Sequence, residues 1–383
     1  MALRAVVPRD PQEQNRVAPP LELFTDLCFV VAISQAAGLV HHNAADGHIL
    51  TTIAGFAAAF FGIWWAWLNF AWFCSAYDND DVAHRILSLV QVLGSLIFAA
   101  GVTRMFDGDF RIGVTGYVVM RLALVIQWLR AAAGDPDRRT TALRYAAFIS
   151  IVQVGWVVFL LLPSNLTWTA FVLLAIADMS VPALAERSGH TPWHPHHIAE
   201  RYGLFFIIVL GESVLSTTIA IQSAIDEKHP APELTFVVLG GILIIFSMWW
   251  LYFSREAGDV LSNVDNAFAW GFGHYFIFAS GALIGAGLAV RADFRSGHAD
   301  IGAYESAALV TLPVVVLLAS LWWVSIRLHD SSIRTWLPFG LAMIACAAAT
   351  YAPASELVTG LICVALLVVE LRLTADDTVG AIA

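Results

Sequence analysis

The chain has 383 residues, 59% of them hydrophobic and only 13% charged, with a mean hydropathy of +0.73. Soluble domains carry about 25% charged residues, so most of this surface is built for lipid. The formal net charge of −10 excludes the basic face that a nucleic-acid partner needs.

Residues 1–20, MALRAVVPRDPQEQNRVAPP, are polar and proline-rich. They lack the apolar h-region of a secretory signal and read as a disordered cytoplasmic tail. Apolar runs long enough to cross a bilayer then follow one another. They fall at about 21–40, 49–76, 83–106, 112–133, 142–162, 166–186, 197–222, 235–254, 267–290, 303–328, 334–351 and 356–372. The runs are continuous and do not alternate, which favours helices over a transmembrane barrel. The expected fold is an all-α polytopic bundle of about twelve spans, joined by short connections. Basic residues set the orientation. Of the 20 in the chain, 14 fall on the side of the N-terminus, five on the other side, and Arg121 inside a span. Both termini are therefore predicted to be cytoplasmic, in a multi-pass membrane protein.

Two stretches suggest an internal repeat. FFGIWWAWLNF (60–70) in the second span parallels IIFSMWWLYF (244–253) in the eighth. GSLIFAAGV (94–102) parallels SGALIGAGL (280–288) in the spans that follow. Residues 21–186 and 187–383 would then be two six-helix halves, related as parallel repeats because each holds an even number of spans.

Chemistry inside such a chain rests on ionisable residues placed in apolar runs, which are expensive to hold there. Glu22 and Asp26 are four residues apart and share a helix face. Arg121 lies mid-span and needs a partner, for which Asp26, Asp178 and Glu212 are the acidic choices. Asp178 precedes Pro182 by four residues, where a freed carbonyl can line a cavity. In HIAERYGLFFIIVLGESVLSTTIAIQ (197–222), Glu200 and Arg201 sit at the cytoplasmic entry. Glu212 lies about 18 Å deeper, beside Gly211, which would admit a neighbouring helix. His274 is inside the ninth span and has the chemistry of a proton relay.

Several motifs carry less. YDNDDVAHR (77–85) is rich in helix-capping residues and has no calcium-loop spacing. GHTPWHPHH (189–197) holds four histidines, but no acidic or cysteine ligand completes a zinc set. The four cysteines lie singly in apolar runs and read as buried hydrophobes. The lone lysine, Lys228, is in a predicted external loop, so a retinal-type Schiff base is excluded. No Walker A, HExxH or GxSxG sequence occurs. No metal and no cofactor are expected, and enzymatic activity is not favoured.

LELFTDLCFV, NDDVAHR, TPWHPHHIAERYGLFFIIVLGES and GHYFIFASGALIGAGL, in this order, resemble the bacterial low temperature requirement A (LtrA) family. The family's pattern falls on Glu22, Asp26, Asp80, Asp81, Arg85, Glu200, Arg201, Gly203, Gly211, Glu212 and His274. Thr25 and Cys28 stand where the family often has larger apolar residues, and neither touches a charged position. The resemblance implies a polytopic inner-membrane protein and supplies no substrate.

The leading functional expectation is a secondary transporter or channel for a small molecule or ion, with Asp26, Arg121 and Glu212 at a charged mid-membrane site and His274 relaying protons. The alternatives are an intramembrane enzyme acting on a lipid-linked substrate and a non-catalytic membrane scaffold or sensor.

Overall fold

A computed structural model describes residues 5–13, 16–226, 233–261 and 264–382. Arg4 and Lys228, both used for orientation above, lie outside the described residues. The regular structure in the described residues is helical. The main helices are α1 (Pro20–Ala45), α2 (Ile49–Tyr77), α3 (Val82–Phe106), α4 (Arg111–Gly134), α5 (Arg139–Phe159) and α6 (Thr167–Ala185). They continue as α7 (Pro195–Asp226), α8 (Leu234–Tyr252), α9 (Val264–Arg295), α10 (Ala303–Leu321), α11 (Ile333–Ala349) and α12 (Ser355–Ile382). Each expected span is one of these helices. Among the described residues, eleven segments, α1 to α10 and α12 with short extensions at some ends, are long and apolar enough to cross a membrane. The helix α11 is apolar but has 17 residues. The protein is thus an all-α polytopic membrane bundle.

Burial is inverted relative to a soluble protein. Leu50 is 87% exposed and Leu161 82%, whereas Arg121, Arg201, Glu22 and Asp26 are all at most 1% exposed. Large apolar side chains outside and charges inside are what a lipid solvent selects.

Local sequence explains where the helices start. Asp81 caps α3 by accepting from the His84 backbone N–H at 2.8 Å. His194 does the same for α7: its Nδ1 accepts from the His197 N–H at 3.2 Å, and Pro195 takes the first helical position, where a missing N–H costs nothing. Gly47 and Gly108 have φ of +85° and +83° in the tight turns after α1 and α3.

The chain packs as two compact units: residues 1–36 with 57–201, and residues 37–56 with 202–383. In the first, aromatic residues of α2 form much of the core. Phe73 packs edge-on to Trp128 of α4 at 5.0 Å, and Trp128 stacks on Tyr145 of α5 at 4.1 Å. Gly94 and Gly101 of α3 lie against Gly116 and Gly113 of α4, so close that a Cβ at Gly101 would stand 2.5 Å from the Gly113 nitrogen. In the second unit, Gly287 of α9 lies against Leu309 of α10 in the same manner. The two glycine-bearing stretches singled out in the sequence therefore both seat a helix on its successor. The two tryptophan-rich stretches differ: Trp64, Trp65 and Trp67 are buried, whereas Trp249 and Trp250 are 46% and 49% exposed.

The N-terminal segment differs from the expected disordered tail. In its described part Val6 is 2% exposed and Arg16 is 9% exposed. The Val6 backbone lies directly over Gly134 at the end of α4. Arg16 donates to the carbonyls of Ser75 and Cys74 at 2.5 and 2.8 Å. These are last-turn carbonyls of α2, and that of Cys74 also accepts from the Asp78 backbone N–H at 3.1 Å. A cation at a helix C-terminus is favourable, and this fixes a segment whose composition alone reads as unstructured.

Candidate functional site

The strongest concentration of buried charge in the first unit joins α1, α2 and α7. Glu22 and Asp26 occupy one face of α1, and His197 and Arg201 one face of α7, each pair four residues apart. Arg201 Nε donates to Asp26 Oδ2 at 3.1 Å and Nη2 donates to Asp26 Oδ1 at 2.5 Å. Its third nitrogen, Nη1, donates to Glu22 Oε2. The indole of Trp67 on α2 donates to Asp26 Oδ1 at 2.7 Å. The Phe70 ring lies 5.7 Å from the guanidinium carbon. His197 Nε2 stands 3.2 Å from Glu22 Oε2, a charge-range approach without hydrogen-bond alignment. Glu22 Oε1 has no partner among the described residues. Two carboxylates thus share one guanidinium, with an imidazole beside the less satisfied one. Planar bidentate pairing of this kind is the strong form of an ion pair.

Outside the membrane helices, this cluster is bordered by the N-terminal segment and the histidine-rich connection. Because His194 Nδ1 accepts from a backbone N–H, its proton sits on Nε2, which donates to the Glu13 carbonyl at 2.8 Å. Burial lowers the His194 pKa below the usual imidazole value. Burial likewise lowers Arg16, to about 10. The hydrogen bond from Arg9 lowers Glu13. His190 of the same connection makes a local contact, its Nδ1 lying 3.1 Å from Glu186.

The acidic run before α3 is structural. Asp80 takes a left-handed φ of +46° and holds Arg85 by two bonds of 2.7 Å. That pair lowers the Asp80 pKa. Asp81 caps α3 with one oxygen and accepts from Arg130 with the other at 2.6 Å.

Arg121 belongs to a second buried cluster of the first unit. Of its three candidate partners, the structure selects Asp178 on α6, whose Oδ1 accepts from Arg121 Nη2 at 2.9 Å. Asp178 Oδ2 accepts from Tyr117 Oη at 2.6 Å and from Trp156 Nε1 at 3.2 Å. No hydrogen bond or ion pair joins Arg121 to Asp26 among the described residues, so these two expected site residues anchor separate clusters.

His274 and Glu212 belong to the second unit. His274 Nδ1 donates to the Trp270 carbonyl at 2.7 Å, because a carbonyl only accepts. Its Nε2 therefore accepts from Tyr252 Oη, at 3.0 Å. The ring is enclosed by Trp270, Tyr202 and Phe278 at 4.0, 4.8 and 5.3 Å. The tautomer is fixed and both nitrogens are occupied. Glu212 is partly exposed on α7. Gly203 makes room for the Phe253 ring, but a Cβ on exposed Gly211 would meet nothing within 4 Å, so the close helix approach expected there is not made. Glu200 is also partly exposed.

Sequence reasoning missed several residues of these clusters. Trp67 lies in the tryptophan-rich run without being singled out there, and the sequence does not mark Tyr117, Trp156 or Gln153. Arg291 on α9 pairs with Glu356 at 3.0 Å, and Arg255 with Glu370 at 2.7 Å, all in the second unit. The signal for Glu370 was present, since it falls inside the last apolar run, as Arg121 does in the fourth.

The sequence profile of the bacterial low temperature requirement A protein (LtrA) family matches residues 17–371. An uncharacterized protein, RA0937 of Rhizobium meliloti (strain 1021), is 25% identical over 329 residues, covering 81% of this chain and 77% of that protein. No solved structure matches. The profile spans every helix from α1 to α11 and most of α12, including all the buried ion pairs described above, and the chain belongs to the bacterial low temperature requirement A (LtrA) family.

Proposed function

We propose that this protein is a secondary transporter of the bacterial plasma membrane, with both termini cytoplasmic, in which the Glu22–Asp26–Arg201 cluster binds and releases a proton during turnover. One observation carries the reading: two carboxylates buried on a membrane helix share a single guanidinium. With both carboxylates ionised the group has a net charge of −1, which is expensive away from water. One proton per cluster neutralises it, and His197 beside Glu22 offers a second place for that proton. A buried site whose neutrality depends on one exchangeable proton is suited to coupling proton movement to a solute.

The test is solid-supported membrane electrophysiology on the reconstituted chain, with an imposed pH gradient and a panel of amino acids, organic acids, sugars and inorganic ions. At least one solute should give a current that Glu22→Gln removes while thermal unfolding stays unchanged. Currents equal to those of empty membranes across the panel would sink the reading. The competing reading, a scaffold without flux, is favoured by His274, whose two nitrogens are both satisfied internally; it predicts that null result.

A further inference from the structure

Two side chains at the interface of α4 and α5 are buried with polar atoms that have no partner among the described residues. Arg121 Nε and Nη1, and both amide atoms of Gln153, have no hydrogen-bond partner among the described residues. The two residues are 1% and 3% exposed. Orphaned buried donors are rare in folded proteins and call for a ligand or water.

Helix register places these atoms at one level. Tyr117 of α4 and Trp156 of α5 have ring centroids 5.8 Å apart, and Trp128 of α4 stacks on Tyr145 of α5. Rising numbers on α4 thus meet falling numbers on α5, and the helices are antiparallel. Arg121 follows Tyr117 by one turn, and Gln153 precedes Trp156 by one turn. Both steps go the same way, so Arg121 and Gln153 are the next facing pair. Asp178 closes a further side through its bond to Arg121 Nη2.

The chemistry of this facing pair is one-sided. Asp178 is already used, by Arg121 on Oδ1 and by Tyr117 and Trp156 on Oδ2. The unused groups are N–H donors of Arg121 and Gln153, against the single acceptor of the Gln153 amide. What the pair lacks is an acceptor. Tyr117 and Trp156 also line a narrow apolar cavity of about 20 Å³, together with Phe98, Phe110 and Phe171. It has room for about one water-sized particle, which limits what can approach by that route. We propose that Arg121 and Gln153 form a binding site for a small monovalent anion of halide size. The site rests on residues separate from the proton cluster, and it stands whether or not the protein transports.

The test uses the full chain in detergent with bromide as probe. Crystals grown in sodium bromide should show an anomalous peak between Arg121 and Gln153. Thermal unfolding should shift upward and saturate with bromide, measured against gluconate at equal ionic strength. Gln153→Leu should raise the half-saturating bromide concentration at least tenfold. Gln153→Glu should abolish the shift, because its carboxylate supplies the acceptor that Arg121 lacks. Water-sized density without anomalous signal at this position overturns the proposal. So does a saturable shift that survives Gln153→Glu. If the Gln153 variants fail to fold, the anomalous map of the unaltered chain decides alone. All of these are equilibrium readouts, so a failed flux assay leaves them intact.

Discussion

Asp26 and Arg201, 175 residues apart in the chain, meet through two hydrogen bonds of 3.1 and 2.5 Å with both side chains fully buried. The pair ties the first membrane helix to the seventh. Removing the guanidinium would leave Asp26 and Glu22 facing each other without a counter-charge.

Arg201→Ala should therefore be among the most destabilising single changes in the first unit, by about 3–5 kcal/mol, because an uncompensated buried charge remains. Arg201→Lys keeps the charge but loses the planar fork, and should fall between the two. Denaturant unfolding in detergent, followed by tryptophan fluorescence, measures the order. An Arg201→Ala protein as stable as the unaltered one would mean that the cluster is not formed.

How much of this was legible in the sequence depends on the kind of statement. The helices were, because a membrane admits only helices and closed barrels, and apolar runs without alternation do not fit barrel strands. The charged residues of the clusters were, since each interrupts such a run. The pairings were not. Arg121 had three acidic candidates, and only the packing of α6 against α4 and α5 selects Asp178. Arg201 read as an entry residue because it lies four residues after His197, near the start of its helix; that the helix start itself is buried by the N-terminal segment is a tertiary fact. Neutral donors such as Trp67 and Tyr117 were invisible for another reason. They are apolar enough to belong in any membrane helix, and nothing local marks the one whose polar atom is used.

The glycine contacts give a paired prediction. A Cβ at Gly116 would stand 2.4 Å from the Phe98 nitrogen and 2.6 Å from the Gly94 carbonyl oxygen, both backbone atoms. Gly116→Ala should force α3 and α4 apart and cost about 1–3 kcal/mol. Gly211→Ala meets open space and should be neutral or slightly stabilising, by up to about 1 kcal/mol from helix propensity. Thermal unfolding of the two variants side by side checks the contrast. Equal effects would contradict the close packing of α3 on α4.

Acid should loosen the N-terminal segment. The His194 pKa is lowered by burial, so between that value and the ordinary imidazole pKa of about 6.5 the unfolded chain binds more protons than the folded one. Stability from this group is complete above about pH 6.5 and declines as pH falls through the lowered value. Protonation would also place a proton on Nδ1, which now accepts from the His197 N–H. Glu13, lowered by Arg9, loses its contribution further into the acid range, in the same direction. Limited proteolysis of the first twenty residues should accelerate between pH 7.5 and pH 5. His194→Asn, which keeps an acceptor near the Nδ1 position, should flatten that dependence. Cleavage rates independent of pH in the unaltered chain would count against the docking of this segment.

The parity of membrane crossings turns on α11. Its 17 residues rise about 26 Å, slightly less than a typical hydrocarbon core of about 30 Å. The contacts at its two ends nonetheless describe a full return. Thr335 Oγ1 donates to the Asp330 carbonyl just after the segment Ala303–His329 ends, and Tyr351 meets Tyr304 near where that segment begins, at 5.1 Å between rings. Between these, the Thr311 and Thr350 hydroxyls are bonded at 2.6 Å. A helix that runs from one end of its neighbour back to the other crosses whatever that neighbour crosses. With α11 counted, twelve crossings are predicted, which would put both termini in the same compartment. Reporter fusions at residues 20 and 372, one active only in the cytoplasm and one only outside it, should give the cytoplasmic signal at both positions. Opposite signals at the two ends would reduce the crossings to eleven and make α11 a helix that enters the membrane without spanning it.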